Sequence, residues 1–179
     1  MSALAAAVAA AVPGARSSAG FGPVTVDLPR ERWVEALGAA HAAGATFFDL
    51  LTAYDEGPTG VAVVAHLATP DLRDHLLLRT SVPAGDPALP TATGVYRGAA
   101  WHERETHEMF GVDFPGNDRL DPLLLPVGFG AAPLRKDFVL AARAARPWPG
   151  AKDPADSGGR ARRRSLPAGV PVDWPEATP

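Results

Sequence analysis

The sequence predicts an α+β fold: a mixed or antiparallel sheet with helices packed on it, followed by an irregular C-terminal extension. Three observations predict it. Three consecutive stretches, "TFFDLLTAYD" (46–55), "VAVVAHLAT" (61–69) and "HLLLRTSVP" (75–83), are aliphatic and aromatic runs of strand length separated by turn-forming residues. Helical patterns lie before and after that group, which is the order of a layered α+β domain. From about Ala141 the large aliphatic residues thin out and Pro, Gly and Ala take over, the composition of a chain that cannot bury a core.

Taken in order, residues 2–12 read as an Ala-rich helix ended by Pro13-Gly14. "GPVTVDLP" (22–29) alternates like a short strand, with Val24 and Val26 on one face. "PRERWVEALGAAHAAG" (29–44) has Pro29 near its start, Gly44 at its end and an apolar stripe of Trp33, Leu37 and Ala40, which makes it a helix. "EGPTG" (56–60) turns the first strand of the central group back on the second, as in a hairpin. "AGDPALPTATG" (84–94) is a loop, a short helix is expected near Gly94–Gly98, and "WHERETHEMFG" (101–111) forms the next helix. Val112 to Ala132 is irregular, with Pro115, Pro122 and Pro126, and "PLRKDFVL" (133–140) is compact. The expected organisation is one domain over residues 1–140 and an extended or disordered tail over 141–179, whose run "RARRR" (160–164) reads as solvated.

The totals exclude several classes. A chain of 179 residues supports one domain with tails. A net charge of −3 argues against a nucleic-acid binder acting through overall charge. There is no cysteine, so disulfides, Cys-ligated zinc and Cys-ligated iron–sulfur clusters are excluded. The longest apolar run, Ala3 to Val12, is half of the roughly 20 residues a membrane span needs. No Lys or Arg precedes it, so it reads as a first helix rather than a signal peptide. No GxGxxG, GxxxxGK[ST] or GxSxG occurs, and nucleotide binding and serine-hydrolase chemistry have no motif support.

"WHERETHEMFG" is the stretch with the most chemistry, and it comes close to the zinc-protease pattern HExxH. That pattern works because two His four residues apart lie about 40° apart on a helix. Here His102 and His107 are five apart, which places them about 140° apart. Glu103 and His107 have the four-residue spacing, and a metal-dependent hydrolase built on them is one alternative. An acid/base pair is another, but Glu103 and Glu105 point about 160° apart. Arg104 stands four residues before Glu108, so an ion pair between them is expected. A plain solvated helix explains the charges and leaves Trp101, Met109, Phe110 and Gly111 unexplained. A helix charged on every side and framed by bulky apolar residues suits a position between two surfaces, one of them another protein.

"WHERETHEMFGVDFPGN", then "LLLP", then "PLRKDF" resembles the 30-kilodalton subunit of the proton-pumping NADH–quinone oxidoreductases, respiratory complex I. The resemblance is carried by Trp101, Glu103, Arg104, Glu105, Glu108, Met109, Phe110 and Gly111, and by Pro133, Leu134, Arg135, Lys136, Asp137 and Phe138. More loosely it extends over residues 20–140. It implies a non-redox structural subunit of the peripheral arm, with the two motifs as interface and scaffold rather than catalytic residues. By the same resemblance the chain binds no cofactor or metal, whereas the complex uses NADH, FMN, iron–sulfur clusters and quinone. The implied partners are other peripheral-arm subunits, above all the large quinone-pocket subunit. The implied location is the cytoplasmic face of the plasma membrane, with membrane contact only through the complex. The chain departs from the family pattern at His107-Glu108, Asn117, Asp121, Pro122, Phe129 and Ala131-Ala132, where lost basic residues are expected to remove polar contacts to a neighbour. Related subunits occur in membrane-bound hydrogenases and in oxidoreductases with other electron donors, so a divergent paralogue serving such a complex, or a stand-alone adaptor, is the alternative.

Overall fold

The structure is a computed structural model and describes residues 2–138. The expected tail from residue 141, with its basic run, lies outside the described residues. The chain begins with helix α1 (Ala3–Ala11), whose N-terminus is capped by Ser2 and whose Leu4, Ala5 and Val8 are buried. Leu4 N–H is satisfied from a distant turn, by Asp74 Oδ2 at 3.2 Å. Strands β1 (Arg16–Ser18) and β2 (Val24–Asp27) follow. Helix α2 (Trp33–Ala42) is entered through one 3-10 turn after Pro29 and leaves through Gly44 at φ +105°. It buries Trp33, Ala36, Leu37 and Ala40, the expected stripe.

Strands β3 (Phe47–Asp55), β4 (Gly60–Ala68) and β5 (His75–Pro83) form an antiparallel meander. The β3–β4 turn depends on Gly60. Its φ is +135°, and a Cβ there would meet the Val82 carbonyl oxygen at 2.1 Å, so no other residue fits. The five-stranded sheet has the order β1-β2-β5-β4-β3. β2 pairs with β5 in parallel, and the sheet is therefore mixed.

One face of the sheet makes the core. Val61, Val63, Ala65 and Leu67 of β4 and Leu76, Leu78 and Val82 of β5 are buried there, and α1 and α2 pack against β5. The other face carries polar cross-strand links, including Asp27 with Arg79, where Nε–Oδ1 is 2.5 Å and Nη2–Oδ2 is 3.0 Å. Helix α3 (Ala99–Phe110) packs on β3.

Two expectations are corrected. Residues Gly94–Gly98 form turns rather than a short helix. Tertiary bonds shape them instead: Tyr96 Oη donates to the Ala45 carbonyl oxygen at 2.7 Å. Strand β1 was not expected from the sequence, because its three residues are all exposed and carry no alternation.

Candidate functional site

Helix α3 ends where the sequence says it should. Gly111 is left-handed at φ +74°, and its N–H donates to the His107 carbonyl oxygen at 2.8 Å. The inner and outer sides of this helix do different things.

The inner side carries Ala99, Glu103 and Thr106, all buried. Glu103 is 0% exposed. Its Oε1 accepts from Ala92 N–H at 2.6 Å, and its Oε2 accepts from Thr91 Oγ1 at 2.7 Å and Asn117 Nδ2 at 2.9 Å. Burial pushes this carboxyl above the ordinary carboxylate range, and the three donors only partly offset that. Glu103 thus ties the loop before α3 to the segment after it. Its role as a core acceptor was missed in the sequence. The signal was available in the 100° rule, which puts Glu103 on the side of Ala99 and Thr106.

The outer side carries Trp101 and Arg104. Trp101 is 63% exposed, and the Arg104 guanidinium stands 5.7 Å from the centre of its ring. The expected ion pair between Arg104 and Glu108 is absent among the described residues. Arg104 instead donates from Nε to the Asp121 carbonyl oxygen and from Nη2 to that of Pro122, the latter at 2.6 Å. Glu108 accepts from the N–H groups of Leu123, Leu124 and Leu125 at 3.1, 2.8 and 2.8 Å. Residues 120–132 have no ladder of their own, so their backbone groups need partners. The two side chains serve that need, the cation taking carbonyls and the anion taking N–H groups. Partial burial pushes the Glu108 carboxyl up, but the three N–H groups, with a smaller contribution from the nearby Arg104 charge, outweigh it and hold the group below its usual range.

The two His are not brought together. His102 sits edge-on to the Phe48 ring, 5.4 Å between centres. His107 places Nδ1 2.9 Å from the Val112 carbonyl oxygen and 3.2 Å from Asp113 Oδ1. Glu103 and His107 do not converge on a common point either. No group of three or more His, Asp or Glu among the described residues is placed to hold a metal ion. Glu105 is exposed and makes no hydrogen bond among the described residues. Phe110 is half-buried against the core.

The second motif is held by a residue that sequence reasoning missed. Asp55, at the end of β3, accepts from Lys136 N–H at 2.6 Å and Gly57 N–H at 2.6 Å, with Arg135 Nε at 3.5 Å. These bonds, Lys136 N–H first, hold its carboxyl below the usual range. Asp55 continues the buried alternation of Leu51 and Ala53, and a carboxylate on a core face was the available clue. Leu134 N–H donates to the Met109 carbonyl oxygen at 3.1 Å, joining the motif to α3. Arg135 turns inward, Pro133 is half-buried, and Leu134, Lys136 and Asp137 are exposed.

Around this framework large apolar side chains face outward: Trp101, Leu124, Leu134 and Val127, the last 93% exposed. Between α3 and the clamped loop lies a cavity of about 370 Å³.

The sequence profile described as "Respiratory-chain NADH dehydrogenase, 30 Kd subunit" matches residues 26–144. The chain belongs to that family.

Curated relatives carry related names. NADH-quinone oxidoreductase subunit 5 of Thermus thermophilus is 37% identical over 132 residues, 68% of this chain and 64% of that protein. An NADH-quinone oxidoreductase subunit of Rhizobium rhizogenes is 44% identical over 86 residues, 48% of this chain and 42% of the relative. The chain thus spans less than two thirds of the length of these relatives. Among solved structures, the trypsin-resistant fragment of Nqo5 is 32% identical, with a TM-score of 0.54 over 60% of this chain and 90% of that one. A chain of the membrane-bound sulfane sulfur reductase, an archaeal respiratory membrane complex, is 26% identical, with a TM-score of 0.69 over 75% of this chain and 83% of that one.

The positions that the resemblance marks as expected departures from the family pattern fall into two groups. Asn117 and Asp121 are used inside the chain, the first by Glu103 and the second, through its carbonyl, by Arg104. Pro122, Phe129, Ala131 and Ala132 are walls of the cavity beside α3, together with His107 and Glu108.

Proposed function

We propose that this chain is a non-redox structural subunit of the peripheral arm of an NADH–quinone oxidoreductase. It docks on the large quinone-pocket subunit and so supports electron transfer from NADH to quinone coupled to proton translocation. In this reading it binds no cofactor, while the complex uses NADH, FMN, iron–sulfur clusters and quinone. It lies at the cytoplasmic face of the plasma membrane and reaches the membrane only through its partners. No helix among the described residues is long and apolar enough to cross a membrane. Trp101, Glu105, Leu134, Lys136 and Asp137 are the surface of contact. Glu103, Arg104, Glu108, Phe110, Gly111, Pro133 and Arg135 hold that surface in shape.

The observation that carries the reading is the exposed Trp101–Arg104 stack beside a clamped loop that turns Leu124 and Val127 outward. Trp and Arg are the residues enriched at the energetic centres of interfaces. An irregular loop held by an acid and a base of the same helix is rigid enough to present apolar residues at low ordering cost. The test is to solubilise membranes mildly, recover a tagged chain, and identify what comes with it. Recovery of the large quinone-pocket subunit supports the proposal. Recovery of the chain alone refutes it.

The likeness to a sulfane sulfur reductase chain favours one second reading, the equivalent subunit of a respiratory complex with another electron donor. The same purification separates the two, because only the first yields a preparation that oxidises NADH.

A further inference from the structure

The face of the sheet opposite the core carries a chain of three side chains across β3, β4 and β5. Asp49 Oδ2 lies 2.7 Å from His66 Nδ1, His66 Nε2 lies 3.1 Å from His75 Nδ1, and His75 Nε2 lies 2.8 Å from the Leu72 carbonyl oxygen. The pairing register brings the two rings together. His66 stands opposite Leu77, and His75, two residues earlier on β5, is its diagonal neighbour on the same face. Asp49 joins them through an irregularity. The register of β3 on β4 slips between Phe48 and Leu50. In a regular strand Asp49 shares the core face of Leu51. The slip re-aims its carboxylate toward His66. The three side chains follow one another in a line and do not converge on a metal position.

The two ends of the chain fix its protons. A carbonyl oxygen only accepts, so His75 Nε2 donates to Leu72. A carboxylate accepts, so His66 Nδ1 donates to Asp49. One proton must then lie between His66 Nε2 and His75 Nδ1, because two lone pairs or two N–H groups repel at 3.1 Å. Two neutral imidazoles carry two ring protons, whereas these bonds need three. The pair therefore shares one positive charge, beside the Asp49 carboxylate. Two neutral rings can make only two of the three bonds, and a second extra proton parts the rings in the middle.

Few other charges face the rings. Ser2 before α1, Pro23 before β2 and Val24 are neutral. The turn before β5 brings Arg73, 3.6 Å from Asp71, and Asp74, which accepts from Leu4 N–H at 3.2 Å. Farther along the sheet Asp27 and Arg79 pair with each other, and on α3 His102 meets the Phe48 ring. The chain of bonds ends on a strained turn. Leu72 is left-handed at φ +56°, the one non-glycine residue with positive φ among the described residues. Its N–H donates to the Thr69 carbonyl oxygen at 2.9 Å, and its own carbonyl is held by His75. When a bond of the chain must be given up, the strain at Leu72 selects the bond to His75. The same turn supplies Asp74 to the N-terminus of α1.

We propose that Asp49, His66 and His75 form a proton-dependent latch. One proton shared between the two rings closes the turn 69–74 and seats the N-terminus of α1, and its loss with rising pH loosens both. The latch needs no partner chain.

Imidazole NMR of the isotope-labelled full chain counts the ring protons from about pH 5 to about pH 9, on both sides of the ordinary His range. The expected result is a state with His66 Nδ1, His75 Nε2 and one of the two middle nitrogens protonated, and two rings that lose the shared proton together. Amide hydrogen exchange at Leu4 and Leu72, read as protection relative to an unfolded chain, should fall about tenfold as that proton leaves. His75→Phe should keep both amides at the low protection at every pH, while Val63 and Leu78 in the sheet stay protected. Asp49→Asn keeps an acceptor for His66 Nδ1 and removes the charge that favours the cation, so the loss of protection should move to lower pH. Rings that titrate independently, or middle nitrogens both without a proton across the range, overturn the proposal. So does protection at Leu4 and Leu72 that does not follow the titration, or a profile that Asp49→Asn leaves unmoved.

Discussion

Replacing Glu103 gives the sharpest test of how α3 is seated. Its carboxylate is buried and satisfies three donors: Ala92 N–H, Thr91 Oγ1 and Asn117 Nδ2. Glu103→Ala leaves those donors unpaired and opens a void. Each buried unsatisfied group costs about 1–3 kcal/mol, and because the groups share one site their costs do not simply add, so about 4 kcal/mol is expected. Glu103→Gln keeps the shape. One oxygen still serves Ala92, but the new amide points donors at Thr91 and Asn117. Thr91 can rotate to accept. Asn117 cannot turn over freely, because its Oδ1 already accepts from Arg119 N–H at 3.0 Å. One mismatched pair remains, worth about 2 kcal/mol. At about 3 °C per kcal/mol the melting temperature falls by about 12 °C for Glu103→Ala and about 6 °C for Glu103→Gln.

The pH dependence supplies an independent check. Burial raises the folded-state value of Glu103 above that of the unfolded chain. Between the two values the folded protein holds the proton and the unfolded chain does not. The stability from Glu103 is therefore full below about pH 4, the ordinary Glu range, and is lost as pH rises through the folded-state value. The gap in melting temperature between the parent and Glu103→Gln should narrow as pH increases from that point. Circular-dichroism melts of parent, Glu103→Gln and Glu103→Ala across a pH series measure all of this. A gap that stays constant or widens with pH, or a Glu103→Ala chain that melts like the parent, refutes the reasoning.

Arg104→Ala removes two bonds to loop carbonyls at a half-exposed site, so a loss of about 1–2 kcal/mol is expected, with faster proteolysis near residues 120–127. Limited proteolysis followed by mass spectrometry measures it, and unchanged cleavage there contradicts the clamp. Asp55→Asn replaces the acceptor of Lys136 N–H and the counter-charge of Arg135, so the segment 133–138 should lose amide protection from hydrogen exchange; undiminished protection counts against the anchor. Trp101→Ala should leave the melt within about 0.5 kcal/mol of the parent, because the ring is exposed, and yet reduce recovery with the large subunit. Equal recovery removes Trp101 from the interface. Deleting the chain from Ala151 onward should leave the melting temperature unchanged, and a large drop would place that segment in the core.

The three central strands were legible because alternation and turn residues are local signals. Leu76, Leu78 and Val82 on one face, and "EGPTG" ending at Gly60, need no partner to be read. The parallel pairing of β2 with β5 was not legible, since nothing near "VTVD" says which strand it meets. The charged helix was legible as a helix, down to its Gly111 stop. Its ionic chemistry was misread because an i,i+4 rule treats a helix as isolated. Arg104 and Glu108 face a loop whose unpaired carbonyls and N–H groups are more demanding partners than each other. The same limit hid Asp55, which looks like a strand-end acid until the backbone of Lys136 arrives from 81 residues away.

The parallel pairing of β2 with β5 sets an order for synthesis. Strands β3, β4 and β5 meet across short turns, whereas Asp27 and Arg79 are 52 residues apart. Joining ends at that separation costs about 2 kcal/mol more chain entropy than closing a six-residue turn. On a ribosome the N-terminal third emerges first and yet has no sheet to join. Until β5 has left the exit tunnel, Val26 and the Trp33 stripe of α2 lack the sheet strand that completes their burial. The earliest-made part of this domain therefore cannot complete its packing before β5 is made, and it is a part that a nascent-chain chaperone would have to shield.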